Sequence, residues 1–259
     1  MTAAAPFTYA HYRRLIAAAR AAGYAFEPLS AVTAAQRSAA PVCFLRHDCD
    51  NDLVAAARLA RIESEAGVTS TFFVMLRSAM YNAMAPTNAE LVREIVGLGH
   101  RIGLHFDESL HADVKPGRIA ELVDRERAWL HQEFDQPIEV VSFHQPSPRV
   151  LEGNFALNCL NTYDRAAFAG VHYVSDSNLR FRDGDPVALF ENRRHRLIQL
   201  LLHPEWWSER PLSLDAKWDA MLANNVDLMQ QGLIGRELTF TKRRRFRIDA
   251  DESGGGDPP

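Results

Sequence analysis

The stretch "PVCFLRHDCDN", residues 41–51, decides the fold. Its first half is a continuous apolar run, the pattern of a strand covered on both faces rather than the alternation of a strand with one wet face. Its second half places His47, Asp48 and Asp50 within four positions. Two carboxylates and an imidazole at the end of a buried strand require something that offsets their desolvation. A turn, a helix cap, or a site that holds an ion and moves protons would each do so.

Working outward, the same apolar pattern recurs. Strands are predicted at "VCFLRH" (42–47), "STFFVML" (70–76), "RIGLHF" (101–106), "EVVSFH" (139–144), "HYVSD" (172–176), "VALFE" (187–191) and "LIQLLLH" (197–203). Helices are predicted from about Thr8 to Ala22, over 51–67, over 87–99 with Thr87 and Glu90 in capping-box spacing, over 117–134 and over 212–232. Such alternation predicts an α/β domain with a mostly parallel sheet, open or closed into a barrel, over residues 1–240. Residues 241–259 run from the basic "TKRRRFR" into an acidic, Gly/Pro-rich end, and partial disorder is expected there.

Composition narrows the function classes. With 47% hydrophobic and 24% charged residues over 259 positions, the chain has an ordinary globular balance. A net charge of −4 gives no reason to expect a nucleic-acid partner. The 3 cysteines, Cys43, Cys49 and Cys159, are widely spaced and form no CxxC pair, so they read as reduced thiols in a cytoplasmic protein. The N-terminus lacks the basic start and apolar core of a signal peptide, and no run approaches the roughly 18 apolar residues of a membrane span.

The polar residues fall at strand ends. Strand 42–47 delivers His47, Asp48 and Asp50; strand 101–106 delivers His105 and Asp107; the next three site-bearing ends deliver His144, Asp176 and His203. In parallel α/β architectures the carboxyl ends of the strands share one rim, where ligands bind. His100 precedes its strand, about five residues at ~3.3 Å from His105, and belongs near the opposite rim in a structural role. His11, His131, His172 and His195 read as structural or solvated.

Imidazole and carboxylate donors on one rim fit a divalent ion with a position open to water. Such an ion acidifies water and polarises a carbonyl, a nearby carboxylate takes a proton, and a histidine across the site protonates a leaving group. The two aspartates at i, i+2 suit a division between base and ligand. An N-cap for the helix after residue 51 is the bland alternative, and it accounts for Asp50 or Asn51 but not for Asp48.

Taken in order, "LRHDCD", "GHRIGLHFDE", "VVSFHQPSP", "YVSDSNLRF" and "LIQLLLHPEWW" resemble the five motifs of the polysaccharide deacetylase superfamily, the carbohydrate esterases (family 4-like) of the NodB-homology type. They are most similar to the bacterial branch with an RHD-x-D first motif, associated with surface-polysaccharide gene clusters. The resemblance implies a distorted (β/α) barrel, one divalent metal ion, commonly zinc, and removal of an acetyl group from a sugar. It implies Asp48 as catalytic base, Asp50 and His105 as metal ligands, His203 as general acid, and Asp176 as the residue that holds or tunes the catalytic groups. The implied substrate is an N-acetylated amino sugar or its nucleotide- or lipid-linked form.

Two positions depart from the family pattern. Ser109 stands where a second histidine follows the first by four residues, and His144 stands where the third motif carries an arginine. His144 from the neighbouring strand is therefore the expected third ligand, with Asp107, His111 or no third protein ligand as alternatives. That gap also supports a degenerate member that binds a glycan or partner without turnover; hydrolysis of another amide or ester is a further alternative. His47 and Asp107 are expected to orient ligands by hydrogen bonds. A donor near the substrate-binding Pro146 is expected to stabilise the oxyanion together with the ion. Arg180, Trp206, Tyr81 and Asn82 are expected to line the sugar site, and Trp129 and Trp218 are expected in the core.

Overall fold

A computed structural model describes residues 7–111, 113–152 and 156–244. Eight parallel strands form one curled sheet: β1 (Ala25–Phe26), β2 (Val42–Cys49), β3 (Thr71–Val74), β4 (Arg101–Phe106), β5 (Val140–Phe143), β6 (Leu160–Asn161), β7 (His172–Ser175) and β8 (Leu197–Leu202). Their order is β6-β5-β4-β3-β2-β8-β7, with β1 added beside the start of β2. The helices are α1 (Tyr9–Ala21), α2 (Val32–Arg37), α3 (Leu53–Glu65), α4 (Pro86–Gly97), α5 (Pro116–Phe134), α6 (Pro148–Glu152), α7 (Pro186–Glu191) and α8 (Leu214–Leu233). This is the mostly parallel sheet that the alternating pattern predicts, curled into a half-barrel consistent with the distorted (β/α) barrel that the resemblance implies.

The run that opened the reading is the central strand. All eight residues of β2 are buried, with β3 on one side and β8 on the other. Side chains alternate across it. Cys43 and Leu45 pack outward with α1 and α7, while Val42 and Phe44 face Phe73, Val140 and Leu197 on the inner face, capped by Leu29, Val32 and Ala35. Fully burying each large apolar side chain contributes roughly 1.5–3 kcal/mol. Beyond Leu45 the same alternation puts Arg46 and Asp48 on the inner face.

Local chemistry fixes the helices that frame the site. Asp52 caps α3, its Oδ1 accepting from the N–H groups of Val54 (2.8 Å) and Ala55 (3.0 Å), so neither Asp50 nor Asn51 serves as the cap. α4 begins at Pro86 after Ala85, and the Thr87 hydroxyl donates to the carbonyl of Leu228, so the expected capping box is not formed. The stretch 187–191, expected as a strand, is helix α7. Asp185 caps it, Pro186 supplies the preset φ of its first turn, and Val187 and Phe190, three apart, share its buried face. Trp129 and Trp218 lie on exposed helix faces instead of the core: α5 turns Ile119, Leu122, Val123 and Leu130 inward, and α8 packs chiefly on α4.

No helix among the described residues is long and apolar enough to cross a membrane. Of the tail, residues 241–244 are described, with Arg243 paired to Asp227 of α8 at 2.7 Å. Residues 245–259, where disorder is expected, lie outside the described residues, as do 1–6 at the N-terminus.

Candidate functional site

The carboxyl ends of β2, β4, β5 and β8 meet at one cavity of about 1020 Å³, lined by Asp48, Asp50, His105, His144 and His203 among others. Parallel register does this directly: β4 pairs with β5 so that His105 lies opposite Ser142, and the His144 N–H extends the ladder to the Phe106 carbonyl at 2.9 Å. Asp50 sits at the centre. Its Oδ1 lies 2.8 Å from His105 Nε2 and 3.5 Å from His144 Nδ1, and its Oδ2 lies 3.9 Å from His203 Nε2.

The Asp50–His105–His144 group offers one donor atom each, all within 4.8 Å of one another. Its chemistry suits a cation. His105 Nδ1 lies 3.3 Å from the Ser142 carbonyl, which only accepts, so Nδ1 carries the proton and Nε2 turns its other face to Asp50. Asp50 Oδ1 is buried and has no aligned hydrogen-bond donor despite that 2.8 Å approach. A positive charge at these atoms, whether a metal ion or a proton on His105 Nε2, offsets their repulsion. Burial alone would raise the Asp50 pKa, but His105, His144 and His203 outweigh it and hold the carboxyl well below the usual range. The Asp50 carboxylate, 3.5 Å away, raises His144 against the effect of its burial.

Of the positions expected to replace the absent second histidine, His144 joins this group and the others do not. Ser109 donates both its N–H (2.9 Å) and its hydroxyl (2.6 Å) to Asp107 Oδ1 in a short turn at the exposed lip. His111 stacks on Phe106 at 5.6 Å. Neither Asp107 nor His111 belongs to the cluster of possible ligands among the described residues.

Asp48 lies deeper, on the inner face. Its Oδ2 accepts from Arg46 Nη2 (2.9 Å) and Ser142 Oγ (3.1 Å), while its Oδ1 is buried without a hydrogen-bond partner. Arg46 is fully buried, and its Nη2 also donates to Ser142 Oγ and to the Tyr163 hydroxyl at 3.2 Å. Asp48 outweighs the burial of Arg46 and keeps the guanidinium charged. Across the cavity, His203 Nδ1 lies 2.6 Å from Asp176 Oδ1, and Asp176 is itself fixed by the His203 N–H and by Trp207 Nε1 at 3.1 Å. Burial would lower His203, but the charge and hydrogen bond of Asp176 raise it to about 10. Below the site, burial followed by the charge of Asp50 pushes Glu205 up to about 8.

Pro146, Arg180 and Trp206 line the same cavity. The Ser147 N–H is already taken by Glu108 at 2.9 Å, so it is not the free donor expected near Pro146. Other expectations are corrected. His47 points to the opposite face of β2 and pairs with Glu63 at 2.6 Å, because residues of odd number on this strand face the helices. Tyr81 is buried, with its hydroxyl donating to the Cys49 carbonyl, and lines a separate groove with Asn82. Residues that sequence reasoning missed are Arg46, Ser142, Tyr163 and Trp218. Arg46 carried a signal, being spaced i, i+2, i+4 with Asp48 and Asp50; Trp218 reaches the cavity from a distant helix and carried none.

No family model and no curated protein matches the chain. Among solved structures it is similar to a family 4 carbohydrate esterase from Streptomyces lividans, at 14% identity and TM-score 0.43, over 74% of this chain and 90% of that one. It is similar to the peptidoglycan deacetylase PdaC from Bacillus subtilis at 11% identity and TM-score 0.44, over 75% of this chain and 86% of that one. It is similar also to a mutant of the CE4 family pseudoenzyme BA3943 with restored enzymatic activity, at 13% identity and TM-score 0.43 over 75% of this chain, and spans 64% of that protein's length. These are likenesses at low identity. Fold and site define a parallel half-barrel with a three-donor cluster at its carboxyl rim.

Proposed function

We propose that this chain is a metal-dependent hydrolase that removes the acetyl group from an N-acetylated amino sugar, or from its nucleotide- or lipid-linked form. The observation that carries the proposal is the buried, unpartnered Asp50 Oδ1 set between the nitrogens of His105 and His144. A divalent ion such as zinc, held by Asp50, His105 and His144, supplies Lewis acidity toward the acetyl carbonyl and toward water. Asp48, with its free Oδ1 and its other oxygen tied to Arg46, takes the proton of the attacking water. His203, kept protonated by Asp176, gives its proton to the amine nitrogen as the C–N bond breaks. Acetate and a free amino sugar are the products. The chain's free cysteines support a cytoplasmic setting.

Elemental analysis of purified protein, followed by measurement of amine release from N-acetylated sugars, tests this reading. About one divalent ion per chain is expected, lost in Asp50→Asn, and Asp48→Asn lowers kcat by about 10²–10⁴-fold while retaining the ion. Full activity in Asp48→Asn would remove the assigned base. Ser109 turned to Asp107 favours a second reading, a glycan-binding protein without turnover. Saturable sugar binding with neither bound metal nor released amine would establish that reading instead.

A further inference from the structure

We infer that the cavity recognises an anionic group on its sugar, a phosphate ester or a carboxylate, through Arg180 and Arg182; this rests on the glycan reading above and narrows its substrate class. Both arginines line the cavity that holds the catalytic cluster, and both are exposed. No hydrogen bond or ion pair engages either side chain among the described residues. Three other arginines are committed: Arg46 to Asp48, Arg61 to Glu94, and Arg196 to the carbonyls of Ala35 and Ser38.

The loop that carries them is held in an unfavourable backbone. Asn178 and Leu179 are left-handed, with φ of 59° and 57°; asparagine tolerates this conformation, but it disfavours leucine by roughly 1–2 kcal/mol. Such strain persists only where the surroundings over-determine it. Here the Arg180 N–H donates to the Asp176 carbonyl at 3.3 Å, and the Ser177 N–H donates to Ser175 Oγ at 3.0 Å. Phe181 stacks on Phe7, with centroids 5.5 Å apart and planes at 9°. With Phe181 anchored, its two neighbours are both presented to the cavity.

The carboxylates already there do not need them. Asp48 is matched by Arg46, and Asp50 is surrounded by the nitrogens of His105, His144 and His203 at 2.8, 3.5 and 3.9 Å. Opposite the loop chemistry, Trp206 and Trp218 meet edge to face at 6.3 Å and offer an indole surface to a sugar ring. Guanidinium forks can donate to sugar hydroxyls, but phosphate and carboxylate oxygens match both their charge and their bidentate geometry.

Calorimetric titration of the full-length protein with N-acetylglucosamine, N-acetylglucosamine 1-phosphate and the corresponding 6-carboxylate (N-acetylglucosaminuronate) tests the inference. At least one anionic probe is expected to bind about tenfold or more tightly than the neutral sugar. Whether the phosphate or the carboxylate wins identifies the group. In R180A/R182A that ratio falls to about one, whereas R180K/R182K retains most of it and controls for folding. Equal affinity for neutral and anionic sugars would overturn the inference while leaving the glycan reading intact. So would an anionic advantage that survives R180A/R182A, which would assign the anion to the metal site. Absence of binding by all three probes would overturn both.

Discussion

At the scale of single residues, charges on the inner face of β2 are arranged so that each has a partner on a neighbouring strand or on its own. Arg46 and Asp48 are both nearly devoid of solvent contact, with side-chain exposures of 0% and 3%. Removing one member of such a pair leaves an uncompensated buried charge. Arg46→Met is therefore expected to destabilise the fold by about 3–5 kcal/mol, read from urea unfolding. Arg46→Met combined with Asp48→Asn should recover a good part of that loss; a double variant no more stable than the single one would show that Arg46 serves packing and not charge. His144 is the second residue to test. His144→Ala is expected to weaken the binding of zinc by about 10-fold or more without unfolding the chain, measured by competition with a chromophoric chelator. Unchanged affinity would return the third ligand to Asp107, His111 or solvent.

At the scale of elements, β2 is joined to helices α1 and α3 through Glu63. This fully buried carboxylate accepts from the Tyr12 hydroxyl, from Ser70 Oγ at 2.5 Å and from His47 at 2.6 Å. Burial would raise its pKa, but the charge and hydrogen bond of His47, with the Ser70 hydroxyl, outweigh burial and lower it. His100 takes the Ser70 N–H on Nδ1 (3.2 Å) and donates Nε2–H to the Ala60 carbonyl (2.9 Å), so it is neutral, and burial lowers its pKa. At both groups the folded chain binds fewer protons than the unfolded chain, so stability falls as pH falls. Glu205, raised to about 8, binds an extra proton in the folded chain and opposes the His100 effect above about 4.5. The net loss is therefore expected below about 4.5, where an unfolded glutamate protonates and Glu63 does not. Urea midpoints between about pH 5 and pH 3 check this, and Glu63→Gln should flatten that slope. A midpoint that rises on acidification would contradict it. Here the sequence was partly legible. His100 reads correctly as structural from its place before β4, but Glu63 on an amphipathic helix gives no sign that it is the buried anchor of two strands. Likewise 187–191 reads as a strand from its apolar run, and only the cap at Asp185 decides for helix.

At the scale of the whole molecule, curling the sheet brings strand ends far apart in sequence to one cavity, and a glycine makes the curl possible. A Cβ on Gly103 would lie 2.5 Å from Phe73 Cε1 and 3.0 Å from the Val140 carbonyl oxygen. Phe73 is fully buried and has nowhere to turn. Gly103→Ala is expected to destabilise the protein by about 1–3 kcal/mol and, because His105 lies two residues further along the same face, to weaken zinc binding as well. Thermal unfolding and metal titration of the variant check both effects. Stability equal to that of the parent would mean that the β3–β4 contact gives way without strain.

By itself, the sequence determined the parallel α/β architecture and the rim on which the chemistry gathers. Strand periodicity and the order of strand-terminal polar residues are local properties, and parallel pairing leaves those ends only one side to share. Tertiary structure alone decided that His144 meets Asp50 and His105 while Ser109 turns to Asp107, and that His47 faces away toward Glu63. It also decided that Trp218 and Arg182 reach the cavity. These outcomes depend on strand register, side-chain direction and the packing of distant helices, which arise only when segments far apart in the chain are brought together.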